Sequence, residues 1–143
     1  MKMPERKRDM FEYWLTDMAE AIDESFKSMP SHVRDKIDYT PDSLDVMEKH
    51  IIDIFDSPKS ALEESQAYFL DGIARYVGQV FRKSLGGKWD IELEDIDNAF
   101  YNIPQLVDMK NQDTQISPLA LVTASLDRRR GNYIRTVLEA HRF

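Results

Sequence analysis

A chain of 143 residues with 42% hydrophobic and 31% charged side chains has the composition of one folded domain, spanning 1–143, and not of a disordered chain. The absence of cysteine excludes disulfides, zinc–thiolate centres and thiol nucleophiles together. Nineteen basic against 26 acidic residues leave a net charge of −7, which argues against duplex nucleic acid as the main partner because its phosphates repel such a surface.

The opening run MKMPERKRDMFEYW is charged where a signal peptide carries an apolar segment, and nothing approaches the roughly 18 apolar residues of a membrane span. A cytoplasmic protein without a membrane partner is the expectation. The first predicted helix places Phe11, Leu15, Met18, Ile22 and Phe26 at three- and four-residue steps and stops at Met29-Pro30. KIDYT, residues 36–40, reads as a short strand. Three later helices share one start signal, a hydroxyl followed by proline: Thr40-Pro41, Ser57-Pro58 and Ser117-Pro118. The hydroxyl accepts from an orphan amide of the first turn, and proline has no amide to leave unpaired there.

The second helix carries Leu44, Met47, Ile51 and Phe55 on one face and ends near Asp56. The third is predicted over 58–85, with Leu62, Phe69, Ile73, Val77, Val80 and Phe81 inward and Ala67, Ala74, Gly78 and Leu85 on an adjoining strip. Small side chains on that strip permit a close neighbour, so this helix is expected to be central. Its remaining strip holds Tyr68, Gly72, Arg75, Gln79 and Arg82. Gly86-Gly87 closes it. Trp89, Ile91 and Leu93 then alternate with Asp90, Glu92 and Glu94, the two-residue period of a half-buried strand. AFYNIPQLVDMK suggests a second strand, interrupted at Pro104 and so at a sheet edge. The last helix starts at Pro118 and presents Leu119, Val122, Leu126, Tyr133, Val137 and His141, with Gly131-Asn132 as a point of breakage. The predicted fold is therefore α+β: four or five helices, dominant, with a small antiparallel sheet of two or three strands after the third.

The glycines beside Lys88 do not make a phosphate loop. Gly87-Lys88 is followed by Trp89 where a metal-binding hydroxyl is needed, and the helix precedes the glycines instead of following them. DIELEDID, residues 90–97, lacks the glycine and terminal glutamate register of a calcium loop. His32, His50 and His141 are too dispersed for a helical metal site, and no serine nucleophile elbow occurs. No catalytic residue, metal ligand or cofactor is thus assigned from the sequence.

QAYFLDGIARYVGQVFRKSLGGKW, residues 66–89, resembles a pattern of small bacterial α+β domains of unknown function, in which a helix carrying aromatic-Ile/Val-Gly-Glu ends in Gly-Gly-x-Trp. IDYTPDSL, residues 37–44, and ISPLALV, residues 116–122, look like two further segments of that pattern, while the first 36 residues have no counterpart in it. Gln79 stands where glutamate is usual, which puts any charged role there in doubt. The resemblance implies an α+β fold in a bacterial cytoplasm. It also implies the company of secreted toxin systems, where small acidic proteins serve as immunity partners.

The leading expectation is a non-enzymatic interaction protein whose acidic surface and polar strip meet a basic protein partner, an immunity-type partner being one version. A homodimer is a further possibility, since seven methionines and several aromatics fit a dimer contact as well as a core. The alternative is a small-molecule site or enzyme with a pocket between the third helix and the Trp89 strand. The binding candidates are Tyr68, Arg75, Gln79, Arg82 and Trp89.

Overall fold

All three hydroxyl–proline pairs start helices. Thr40 Oγ1 accepts from the Ser43 amide at 3.3 Å, Ser57 Oγ from Ser60 at 3.3 Å and Ser117 Oγ from Ala120 at 3.1 Å. The computed structural model describes residues 3–110 and 113–142, and these form eight α-helices and one two-stranded sheet. In chain order they are α1 (Met3–Thr16), α2 (Met18–Lys27), α3 (Ser31–Arg34), α4 (Pro41–Ile54), α5 (Pro58–Ala61), α6 (Ala67–Leu85), β1 (Lys88–Asp90), β2 (Gln105–Val107), α7 (Pro118–Arg128) and α8 (Tyr133–Ala140). A 3-10 turn, Glu64–Gln66, leads into α6.

Eight helices replace the four or five expected because three predicted helices are broken and one turn is added. The first bends at Asp17, whose backbone lies at φ −90, ψ 9. Thr16 Oγ1 bonds back to the Glu12 carbonyl, a geometry that bends helices, while the amide of Asp17 still reaches Tyr13 O and that of Ala21 reaches Asp17 O. The joint is a kink rather than a loop. The predicted helix over 58–85 ends at Leu62, where a reciprocal cap between Ser57 and Ser60 completes a single turn and Glu63 turns extended. That turn packs on α7 and buries Ala61, which leaves Leu62 55% exposed instead of inward. The last helix breaks where foreseen: Arg129 and Gly131 both adopt positive φ. Pro30 starts the added turn, α3.

KIDYT is a turn, not a strand. Tyr39 sits at φ 64, held there because its amide donates to the buried Tyr76 hydroxyl at 2.9 Å and its ring lies 4.7 Å from that of Tyr76. The same hydroxyl meets Ser43 Oγ at 2.6 Å, which ties the α4 start to α6.

The sheet is antiparallel, with Trp89 opposite Leu106. Trp89, Ile91 and Leu93 are all buried, as the alternation requires, although the ladder itself stops at Asp90. Pro104 precedes β2 instead of interrupting it, and Ile116 adds a one-residue antiparallel bridge beyond Leu106. The core surrounds α6, whose Ile73, Tyr76, Val77, Val80 and Phe81 are fully buried; each large apolar side chain so buried contributes about 1.5–3 kcal/mol. α2, α4, α7 and β2 pack around this helix. Two glycines allow the approach. A Cβ at Gly72 would overlap Ser25 Oγ and lie 3.0 Å from the Ala21 carbonyl of α2, and one at Gly78 would overlap the Trp89 indole. No helix among the described residues is long and apolar enough to cross a membrane.

Candidate functional site

α1 is fastened to the body of the molecule through Trp14. Its indole nitrogen donates to Asp71 Oδ1 at 2.8 Å, and its ring meets that of Trp89 edge-on with centroids 4.9 Å apart. Arg75, one helical turn after Asp71, bonds its carboxylate at 2.7 Å and donates to the Trp14 carbonyl at 2.7 Å. The guanidinium also lies 4.2 Å from the Trp14 ring centroid. A buried charge needs such a complete set of partners, because desolvating it unpaired costs several kcal/mol. Phe11, buried three residues earlier on the same face of α1, stacks on Trp14 at 5.9 Å.

A second network fixes Trp89. Gln79 Oε1 accepts from the Trp89 indole and from Arg82 Nη1, both at 3.0 Å, while Arg82 Nε reaches the Gly87 carbonyl at 3.3 Å. The role at position 79 is to accept two hydrogen bonds, which an amide oxygen performs without charge.

Four hollows surround Trp14, and that side chain lines each of them. The largest is a groove of about 770 Å³ between α2 and the start of α6. Asp17, at the joint before α2, and Glu20 and Glu24, on α2, supply its acidic wall, and Tyr68, 94% exposed, stands at its lip. Ser25 holds the two helices together at its floor, donating to the Tyr68 and Phe69 carbonyls at 3.3 and 3.2 Å. Glu24 is paired with Lys27 at 2.7 Å on the surface; Asp17 and Glu20 have no side-chain partner among the described residues. Among the described residues Arg75 is the one cation lining the groove, and Asp71 already neutralises it. A smaller cavity of about 240 Å³ lies between α6, Trp89 and the start of α7. Its walls include Leu70, Ala74, Pro118 and Leu119, and it shares Trp14, Ala67 and Asp71 with the groove.

The five residues singled out from sequence do not form one site. Tyr68 and Arg75 belong to the groove, Trp89 to the smaller cavity, and Gln79 and Arg82 to the brace behind Trp89. The strip that carries them is not a free face, because α2 covers Gly72 and Trp14 covers Arg75, which is only 4% exposed. Sequence reasoning missed Trp14, Asp71 and the acidic row on α2. Signals for them existed: Trp14 lies three residues from Phe11, and Asp17, Glu20 and Glu24 recur at helical spacing.

Glu48 was also missed. It is fully buried on α4 and accepts from the Tyr133 and Ile134 amides at 2.9 and 2.8 Å, capping α8 from another helix, while Asn132 caps nothing with its own side chain. Its place beside the apolar face of α4 was the available signal, since a carboxylate there requires a buried partner. Among the described residues no group of three or more His, Asp or Glu is arranged to hold a metal ion. Comparison with family models, with curated proteins and with solved structures finds no match to this chain.

Proposed function

We propose that this chain is a protein-interaction domain whose docking face surrounds Trp14, and that its partner presents a basic segment to the groove between α2 and α6. One observation carries the reading. Six large hydrophobic side chains are exposed among the described residues, and four of them, Met10, Tyr13, Leu62 and Tyr68, line the hollows around Trp14. Exposed apolar groups gathered around one half-buried tryptophan, with two tyrosines among them, are the composition of a contact surface. The acidic wall supports a basic partner: Asp17 and Glu20 have no side-chain partner among the described residues, and the net charge of −7 speeds encounter with a cation of any shape.

The second reading, a small-molecule site against α6 and Trp89, draws on the cavity found there. At about 240 Å³ it falls below the roughly 300–1,000 Å³ of such sites, and Asp71 on its wall is already committed to Trp14 and Arg75. The interaction reading is preferred for that reason.

The test is titration of a lysine-rich peptide against three proteins. These are the wild type, a groove reversal (Asp17→Lys, Glu20→Lys, Glu24→Lys) and an equal reversal elsewhere (Glu94→Lys, Asp113→Lys, Asp127→Lys). Binding that survives only the second reversal supports the groove. Equal loss in both would mean that net charge alone attracts the peptide, and the reading would fall.

A further inference from the structure

We infer that the cavity between α6 and Trp89 receives one large apolar side chain of the same segment whose basic residues lie in the α2–α6 groove. The inference rests on the docking face proposed above and adds a sequence requirement to the partner: lysine or arginine residues next to an apolar anchor.

Continuity is the first argument. Groove and cavity share Trp14, Ala67 and Asp71, so they are neighbouring parts of one surface. Ala67, exposed at the start of α6, has the shortest side chain of the three, so a chain leaving the groove crosses there with least obstruction. Charge is the second. The groove wall from Asp17 to Glu24 runs about 10 Å along α2, at about 1.5 Å per residue, long enough to face two or three basic residues of one segment. Glu63 continues the acidic character at the cavity.

Size and lining are the third. Leu62, Leu70, Ala74, Trp89, Pro118 and Leu119 make an apolar enclosure for a single side chain, and the rigid wall is provided by Trp89, which Gln79 holds in place. An anchor filling a pocket beside two aromatic rings is the arrangement in which one residue dominates affinity. Burying such a side chain tightens binding on the order of ten- to a hundredfold.

Both tryptophans of the chain line this cavity, so their fluorescence reports on its occupation. Two kinds of tryptophan-free peptide made of lysine and glycine are compared: one with phenylalanine at either end, one with alanine in its place. The phenylalanine peptide is expected to bind on the order of ten- to a hundredfold more tightly and to change the tryptophan emission. That advantage is expected to vanish in Ala74→Leu, which fills the cavity, and to shrink in Leu62→Lys, which alters only an exposed rim residue and leaves the core intact. Equal affinity for the two peptides would overturn the inference while leaving the basic-segment reading standing. If neither peptide binds, that reading fails and this inference with it. If neither binds but bromobenzene quenches the tryptophans, the cavity is a small-molecule site and the inference is overturned.

Discussion

At the scale of single residues, three buried polar groups do work that stability measurements can isolate. Glu48 holds two amides at the start of α8 with one carboxylate, so Glu48→Gln replaces an acceptor with a donor facing an N–H. A loss of about 2 kcal/mol is expected from urea denaturation, together with faster amide exchange in α8. Arg75 closes the triangle with Asp71 and Trp14, and Arg75→Ala removes the bond to the α1 carbonyl as well as the ion pair. Because Asp71 retains access to water, the cost is set at about 2 kcal/mol rather than the larger figure for a fully buried pair. Hydrogen exchange should rise in α1 first. Tyr76 is fully buried, and burial pushes its phenol up to about 12, against the favourable bonds from Ser43 and the Tyr39 amide. The fold therefore favours the neutral phenol. The stability it contributes is complete below the unfolded value of 10 and is lost as pH rises through about 12. Alkaline absorbance titration should find one tyrosine that ionises only near unfolding, and Tyr76→Phe should abolish that late step.

At the scale of elements, close approach decides where the helices sit. Gly78→Ala would gain about 1 kcal/mol of helix propensity, but its Cβ overlaps the Trp89 ring and meets Pro118 Cγ at 3.1 Å. Overpacking of this kind costs about 1–3 kcal/mol, and Trp89 has little room to yield because Gln79 and Trp14 hold it. A net loss is expected, with altered near-ultraviolet circular dichroism from the displaced indole. A variant of unchanged or higher stability would show that the ring moves freely. The bend at Asp17 is a case where the apolar period does not record a break that a local side-chain bond makes. Phe11, Leu15, Met18, Ile22 and Phe26 describe one helix, yet the chain bends at Asp17, and the two halves dock separately, α1 through Trp14 on Asp71 and Arg75 and α2 through Ser25 on the start of α6. Breaks at Leu62 and at Arg129 to Gly131 differ in legibility. Gly131 announces the second in the sequence, whereas the first depends on α5 finding α7.

At the scale of the whole molecule, net charge and local contacts act over different distances. An excess of seven acidic groups raises encounter with any cation, while contacts inside the groove act within a few ångströms. Added salt separates the two, since the screening length falls from about 30 Å at 0.01 M to about 10 Å at 0.1 M. Association of the lysine peptide should slow steeply over that range. The added affinity from its phenylalanine should stay nearly constant, because burial of an apolar ring carries no charge. Stopped-flow mixing distinguishes the two, and an anchor effect that disappears with salt would point to a purely electrostatic contact.

The amino-acid sequence by itself determined that the chain is mainly helical and where its main helical segments lie, the three capped starts, the glycine stop at 86–87 and the inward side of the Trp89 strand. These follow from hydrogen bonds and periodicities a few residues long, and so they survive without knowledge of the neighbours. Only the tertiary structure decided that Arg75 is covered, that Gln79 and Arg82 brace a tryptophan, and that Glu48 caps a helix 85 residues away. It also decided that four exposed hydrophobic side chains gather around Trp14. Such features depend on which helix packs on which, and no local spacing records a contact between residues so far apart in the chain.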